Sequence, residues 1–149
     1  MADCYTCIQE SALPTAPAAE KVYVGEHWRV ALALGSALPG WVVVVPRRHT
    51  TRVADLTAGE AADLGPLLVA VSRAIETVTR SPKTYVMQFA EAEGFSHVHF
   101  HVTPRSPDVE HRGPKVFAYL NQHETMTSDE KDQLAEDLGV AITVSLHRG

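Results

Sequence analysis

"FSHVHFHVTPR", Phe95 to Arg105, is the stretch from which the fold of this chain is read. His97, His99 and His101 alternate with Val98, Phe100 and Val102. In an extended strand, alternate side chains point to one face, with like-facing residues roughly 6–7 Å apart. The spacing therefore predicts a β-strand with three imidazoles on one face and an apolar set on the other. Imidazole is polar, seldom fully buried without a partner, and titrates near neutrality. A row of three on one face reads as chemistry, not as packing.

Working outward, "KTYVMQFA", Lys83 to Ala90, predicts a strand just before the histidines. Thr57 with Glu60 forms a capping-box pattern that starts a helix. Leu64, Leu67, Leu68, Val71, Ile75 and Val78 keep helical spacing to about Arg80. Pro66 falls inside this pattern and is expected to kink the helix or delay its start. Trp41 to Val45 is β-branched and continuously apolar, which predicts a central strand ended by Pro46. Gly35, Pro39 and Gly40 mark a loop before it, and His27 to Leu34 reads as the preceding strand. Val22 to Val24 is a short strand candidate. Downstream, Val116 to Leu120 suggests a short helix. Thr127 with Glu130 repeats the capping box ahead of Leu134, Leu138 and Ile142, which predict a C-terminal helix. This order predicts an α+β fold with an antiparallel sheet.

At 149 residues the chain is most simply one domain, 1–149. Within it, 1–20 holds a Cys-x-x-Cys and a Pro/Ala-rich connector, and 106–149 a C-terminal loop and helices. The hydrophobic fraction of 45% and charged fraction of 21% are ordinary for a globular protein. A net charge of −5 argues against a general nucleic-acid binder but leaves room for a small anionic ligand held by local positive groups. No apolar stretch is long enough to span a bilayer, so no membrane partner is expected. "MADCYTCIQE" lacks the apolar centre of a signal peptide. The expected location is cytoplasmic, with both cysteines reduced unless they hold a metal or do redox work.

Two chemistries suit the histidine row. Neutral imidazole is a common metal ligand, although three consecutive like-facing positions span too far to converge easily. Alternatively, an imidazole nitrogen can attack phosphorus, and water then cleaves the phosphoramidate. Flanking donors would steady the charge on the phosphate oxygens. The second chemistry uses the whole row. Cys4 and Cys7 have the spacing of a zinc half-site, which needs two further ligands. On spacing alone a redox pair or two unrelated cysteines stay open.

"HVHFHVTPR" resembles the His-φ-His-φ-His-φ-φ signature of the histidine triad (HIT) superfamily, and "VVVVPRRH", Val42 to His49, resembles the strand and basic turn that precede it there. The resemblance implies a HIT-like α+β fold: about five antiparallel strands, one long helix, and a C-terminal helix. It implies a homodimer and a small-molecule nucleotide substrate. The activity implied is nucleotide hydrolase or nucleotidyl transferase, acting on an α-phosphate through a covalent histidine intermediate, in the phosphoramidate or dinucleoside polyphosphate class. A nucleotide-binding regulatory protein with little turnover is the alternative.

By the same resemblance, His99 matches the nucleophile. It must be neutral, with one nitrogen bare and the proton on the other held by an acceptor. His101 matches the histidine that contacts the phosphate and aids the leaving group. A branch of the family carries a structural zinc on an N-terminal Cys-x-x-Cys, a histidine after the basic turn, and the first triad histidine. The corresponding ligands are Cys4, Cys7, His49 and His97. Ser96 adjoins the site as a possible phosphate donor, and Arg105 lies just past the strand, as an anion contact or a salt bridge. Three positions depart from the family. Trp41 stands where many members have a fourth histidine, and offers either a stacking face for a base or a core side chain. Ala33 stands where many have a ribose-binding aspartate. Glu93 falls near a phosphate-binding glutamine, where a carboxylate would repel phosphate unless protonated or paired.

Overall fold

The computed structural model describes residues 4–148. It is α+β, built on a five-stranded antiparallel sheet. Helix α1, Tyr5–Ser11, is followed by short 3-10 turns at Leu13–Thr15 and Ala18–Glu20. Strands β1 (Tyr23–Val24), β2 (Trp28–Leu32) and β3 (Val42–Pro46) come next, then helix α2 (Ala58–Thr79). Strands β4 (Thr84–Gln88) and β5 (Phe100–Pro104) precede a 3-10 helix, Gly113–Tyr119, and helix α3, Ser128–His147. The strand order is β1-β2-β3-β5-β4, so β5 is inserted between the hairpin strand β3 and its own sequence neighbour β4. No helix among the described residues is long and apolar enough to cross a membrane.

Period-two alternation divides the sheet's two faces. Trp28, Val30, Val42, Val44 and Val102 pack against Leu67, Val71 and Ile75 of α2 and Leu138 and Ile142 of α3. Arg29, Ala31, Val43, Val45 and His101 turn to the other face and line a cavity. The main core thus lies on one side and the chemistry on the other.

Both capping boxes form as expected. Thr57 accepts from the Glu60 amide while Glu60 accepts from the Thr57 amide, and Thr127 and Glu130 repeat the arrangement. Pro66 does not break α2, which runs through it from Ala58 to Thr79. A proline normally crowds the Cβ of the residue before it, and here that residue is Gly65, which has none. Both residues sit on the solvent side, where water can satisfy the carbonyl that Pro66 leaves unbonded. The expected helix at Val116–Leu120 is a 3-10 segment that starts earlier, at Gly113.

The triad strand is shorter than its sequence predicts. The β3–β5 ladder begins at Val44↔Phe100, so His97 and His99 precede the paired strand and only His101 lies within it. The His97 Nε2–H donates to the Pro46 carbonyl at 2.8 Å, occupying the group that would otherwise extend the ladder. The Val98 amide turns to the Thr50 carbonyl at 2.8 Å.

The basic turn after β3 is tied down. Arg48 grips Glu60 with Nε and Nη2 at 2.9 and 2.8 Å, and Arg47 Nε donates to Glu10 at 2.7 Å. Arg48, followed by burial and the Thr57 amide, sets the Glu60 carboxyl, with a net fall to about 2. A carboxyl with a depressed folded pKa stabilises the fold fully above its ordinary value near 4.5, and that contribution is lost as pH falls toward 2. Glu60→Gln is therefore expected to lower the melting temperature at neutral pH. The gap from the unaltered protein should close between pH 4.5 and 2, as read by circular dichroism melts. A gap independent of pH would assign the Glu60 effect to packing alone.

Candidate active site and metal-ligand cluster

Four predicted ligands converge. Cys4 caps the start of α1 and Cys7 lies in its first turn, so both thiols share one side of the helix. His49 follows the Pro46–Arg48 turn, and His97 arrives from the segment before β5. Cys7 Sγ lies 3.2 Å from His49 Nδ1 and 3.7 Å from His97 Nδ1, and Cys4 Sγ is 3.6 Å from His97 Nδ1. The four ligand atoms all fall within 4.8 Å of one another. Tetrahedral zinc, with bonds of about 2.3 Å to sulfur and about 2.0–2.1 Å to nitrogen, separates its ligand atoms by roughly 3.3–3.8 Å. The three closest pairs, at 3.2, 3.6 and 3.7 Å, match that size. The tautomer of His97 fits as well: the Pro46 carbonyl can only accept, so the His97 proton sits on Nε2 and Nδ1 is bare toward the thiols. Burial holds His97 below the ordinary imidazole pKa.

His99 is fixed by the next carbonyl. Its Nδ1–H donates to the His97 backbone oxygen at 2.8 Å, which in the neutral ring leaves Nε2 without a proton. His101 lies beside it, with ring centroids 4.8 Å apart and planes at 77°. The Trp41 Nε1–H donates to His101 Nδ1 at 3.1 Å, so the His101 proton occupies Nε2. Burial above all, and then His99, push the His101 pKa down to about 4. Gly40, at φ +89°, delivers Trp41 into the sheet, and any Cβ there would stand 2.5 Å from Thr79 Cγ2.

Both imidazoles open on a cavity of about 430 Å³. Its floor is small and apolar: Ala31 and Ala33 from the β2 side, Val43 and Val45 from β3. Phe89, Phe95 and Phe117 stand around it. Its far end is polar and was not foreseen. Arg29, 2% exposed, donates from Nη1 to the Glu20 carbonyl at 2.6 Å and to Glu20 Oε2 at 3.1 Å. Arg29 Nε also faces Glu10 Oε2 at 3.3 Å. Tyr5 donates to Glu20 Oε1 at 2.7 Å. An arginine alternating with Trp28 and Val30, in register with Ala31 and Ala33, was the available signal for Arg29. Glu10 and Glu20 lie outside any periodic segment and carried none.

Other expected contacts fall elsewhere. Trp41 is 1% exposed, set edge-on to His101 and Phe117, and presents no free face for a base to stack on. Ala33 does line the floor and supplies no side-chain acceptor. Glu93 and Ser96 are exposed and do not line the cavity, whereas Glu91 does. Arg105 also lies outside the lining. It sits beside Tyr85, whose hydroxyl the Gly113 amide and then the Arg105 guanidinium hold below its ordinary pKa.

The sequence profile of the HIT domain matches residues 16–108, more than half of the chain, and the chain belongs to that family. It is 32% identical over 98 residues to an Arabidopsis thaliana protein named bifunctional bis(5'-adenosyl)-triphosphatase/adenylylsulfatase FHIT, across 64% of this chain and 54% of the relative. The chain thus spans about half the length of that curated relative. The fold is similar to that of a zinc-bound histidine triad family protein from Mycobacterium smegmatis, with a TM-score of 0.67 and 19% identity over 95% of this chain and 94% of the other. It is also similar to a HIT-like protein from Bartonella henselae, described as involved in cell-cycle regulation. That match has a TM-score of 0.69 and 18% identity over 90% of this chain and 93% of the other.

Proposed function

We propose that this chain is a nucleotide hydrolase or nucleotidyl transferase that attacks the α-phosphorus of a nucleotidyl substrate through His99. The observation that carries the reading is the hydrogen bond from His99 Nδ1 to the His97 carbonyl. The Nδ1 proton is held there, so the lone pair on Nε2 is free beside the cavity. In the first step that lone pair forms an N–P bond, and the bonding pair of the scissile linkage departs with the leaving group. In the second, water, or an acceptor in a transferase, attacks the phosphorus and gives its proton to solvent, and the N–P pair returns to Nε2. His101 offers its Nε2–H to the phosphoryl oxygens. The apolar floor and aromatic surround suit a nucleoside, as does the activity named for the Arabidopsis relative.

The Cys4, Cys7, His49 and His97 cluster is proposed to hold one structural zinc. Held there, it cross-links α1 to the segment that carries His99 and takes no part in the reaction steps. A homodimer through joined sheets and a cytoplasmic location complete the proposal. Ala33 also favours a second reading, binding with little turnover, because no side chain there can hold a ribose hydroxyl. Rapid-quench incubation with diadenosine triphosphate separates the two readings. The enzyme gives a burst of acid-labile, base-stable nucleotidyl–protein followed by steady release of mononucleotide. Saturable binding with neither burst nor release would establish the second.

A further inference from the structure

We propose that Trp41 is a positioning residue that locks His101 as a neutral Nε2–H donor and thereby restricts the enzyme to leaving groups that depart without a proton, the phosphoanhydrides rather than the phosphoramidates. The proposal rests on His99 being the nucleophile. An indole Nε1–H can donate but never accept. The 3.1 Å bond from Trp41 therefore requires a bare Nδ1 on His101, and a neutral ring then carries its single proton on Nε2.

The alternatives are closed sterically and by polarity. Trp41 is held edge-on between His101 at 79° and Phe117 at 82°, and with 1% exposure it has no room to turn the indole away. A second proton on His101 would set an N–H on Nδ1 head-on against the indole N–H, with both donors buried and neither satisfied. Burial and then His99 also hold the His101 pKa down, to about 4. A histidine at position 41 would behave differently, because imidazole can accept as well as donate.

The consequence falls on the leaving group. A neutral imidazole N–H is a good hydrogen-bond donor but a far weaker acid than an imidazolium. It can steady charge on a phosphoryl oxygen without surrendering its proton. Val43 and Met87 lie opposite His101 in the sheet, Phe117 stands edge-on to it, and the neutral His99 ring commits its own proton to the His97 carbonyl. Of the acids lining the cavity, Glu20 is tied to Arg29 and Tyr5, and Glu91 stands on the exposed rim. A phosphate-type oxygen leaves as a stable anion, carrying the P–O pair with no proton required. An amine leaving from phosphorus carries the P–N pair as a strong base and needs a proton delivered in the transition state.

Two measurements on the 149-residue chain supplied with one equivalent of zinc test this. Long-range ¹H–¹⁵N correlation spectra at neutral pH should show His101 in the Nε2–H tautomer, and Trp41→Phe should relax it to a mixture. A native His101 protonated on Nδ1 overturns the proposal whatever the turnover. The second measurement compares kcat/KM for diadenosine triphosphate and adenosine 5'-phosphoramidate. The native protein should favour the anhydride by about 100-fold or more, the usual worth of a positioned proton donor. Trp41→His should shift that ratio toward the phosphoramidate by about 10-fold or more. Equal native turnover of the two substrates, or a Trp41→His ratio that does not move, overturns the proposal. Inactivity of the native protein on both substrates removes the nucleotide reading and with it the leaving-group restriction, while the spectra still decide the tautomer lock.

Discussion

His99→Ala is expected to lower kcat for nucleotide release by about 10⁴-fold or more, the scale seen when a covalent nucleophile is removed from a machinery that works as a unit. The geometry makes the effect specific. His99 presents a bare Nε2 because its other nitrogen donates to the His97 carbonyl at 2.8 Å, and alanine removes the attacking lone pair while leaving that backbone in place. His101 cannot substitute, since its Nδ1 is engaged by Trp41 and its Nε2 carries the proton. Nucleotide affinity should change by less than about tenfold, because the floor of Ala31, Ala33, Val43 and Val45 is untouched. Rapid-quench assays should show no nucleotidyl–protein burst in the variant. Near-normal turnover by His99→Ala would overturn the nucleophile assignment. One equivalent of metal should survive the substitution, since His99 is not among the clustered ligand atoms. Loss of the metal would make the whole row a ligand set.

Removing a cysteine ligand is expected to have the largest effect on stability. Cys7 Sγ is the atom within 3.7 Å of both histidine nitrogens, so Cys7→Ser should strip the metal, as read by mass spectrometry and by colorimetric zinc release. Structural zinc sites supply binding energy on the order of 10 kcal/mol in small domains, much of it coupled to folding. Here part of α1's anchorage persists without metal, through the Tyr5 amide to the Gly94 carbonyl and through Glu10 to Arg29 and Arg47. The net loss should therefore be a few kcal/mol, a fall in melting temperature on the order of 10 °C. Chelation of the unaltered protein should reproduce it, and zinc should restore it. Activity should fall together with stability, because His97 both faces the thiols and supplies the carbonyl that orients His99. A variant that keeps its metal and its melting temperature would sink the four-ligand assignment.

The features legible in the sequence share a physical property: each depends on short-range geometry. The capping boxes at Thr57 and Thr127 need only a side chain and an amide three residues apart. The apolar alternation through β2 and β5 needs only the period of an extended chain. What stayed hidden depends on groups brought together across the chain. The end of the triad ladder at Phe100 is set by a histidine side chain taking the Pro46 carbonyl, 51 positions away. The Arg29–Glu20–Tyr5 end of the cavity joins an irregular connector to a strand interior, and no pattern in either reports the other. Glu91 lies at the cavity rim and Glu93 does not, because the turn before Phe95 decides which of the two reaches the opening. The start of α2 at Ala58, ahead of Pro66, was not legible because the rule for prolines in helices omits what a preceding glycine relieves.

By itself the sequence determined the α+β order, the family, and the identity of the side chains able to attack phosphorus or hold a metal, since alternation and spacing are properties of a local backbone. Only the tertiary structure sets them apart. Three imidazoles that are equivalent in the motif meet three different partners, and the proposed roles of ligand, nucleophile and neutral donor rest on that difference. The difference lies in the hydrogen-bond partner that each meets: the Pro46 carbonyl for His97, the His97 carbonyl for His99, and the Trp41 indole for His101. A carbonyl accepts and an indole donates, and that one distinction places the proton on each ring.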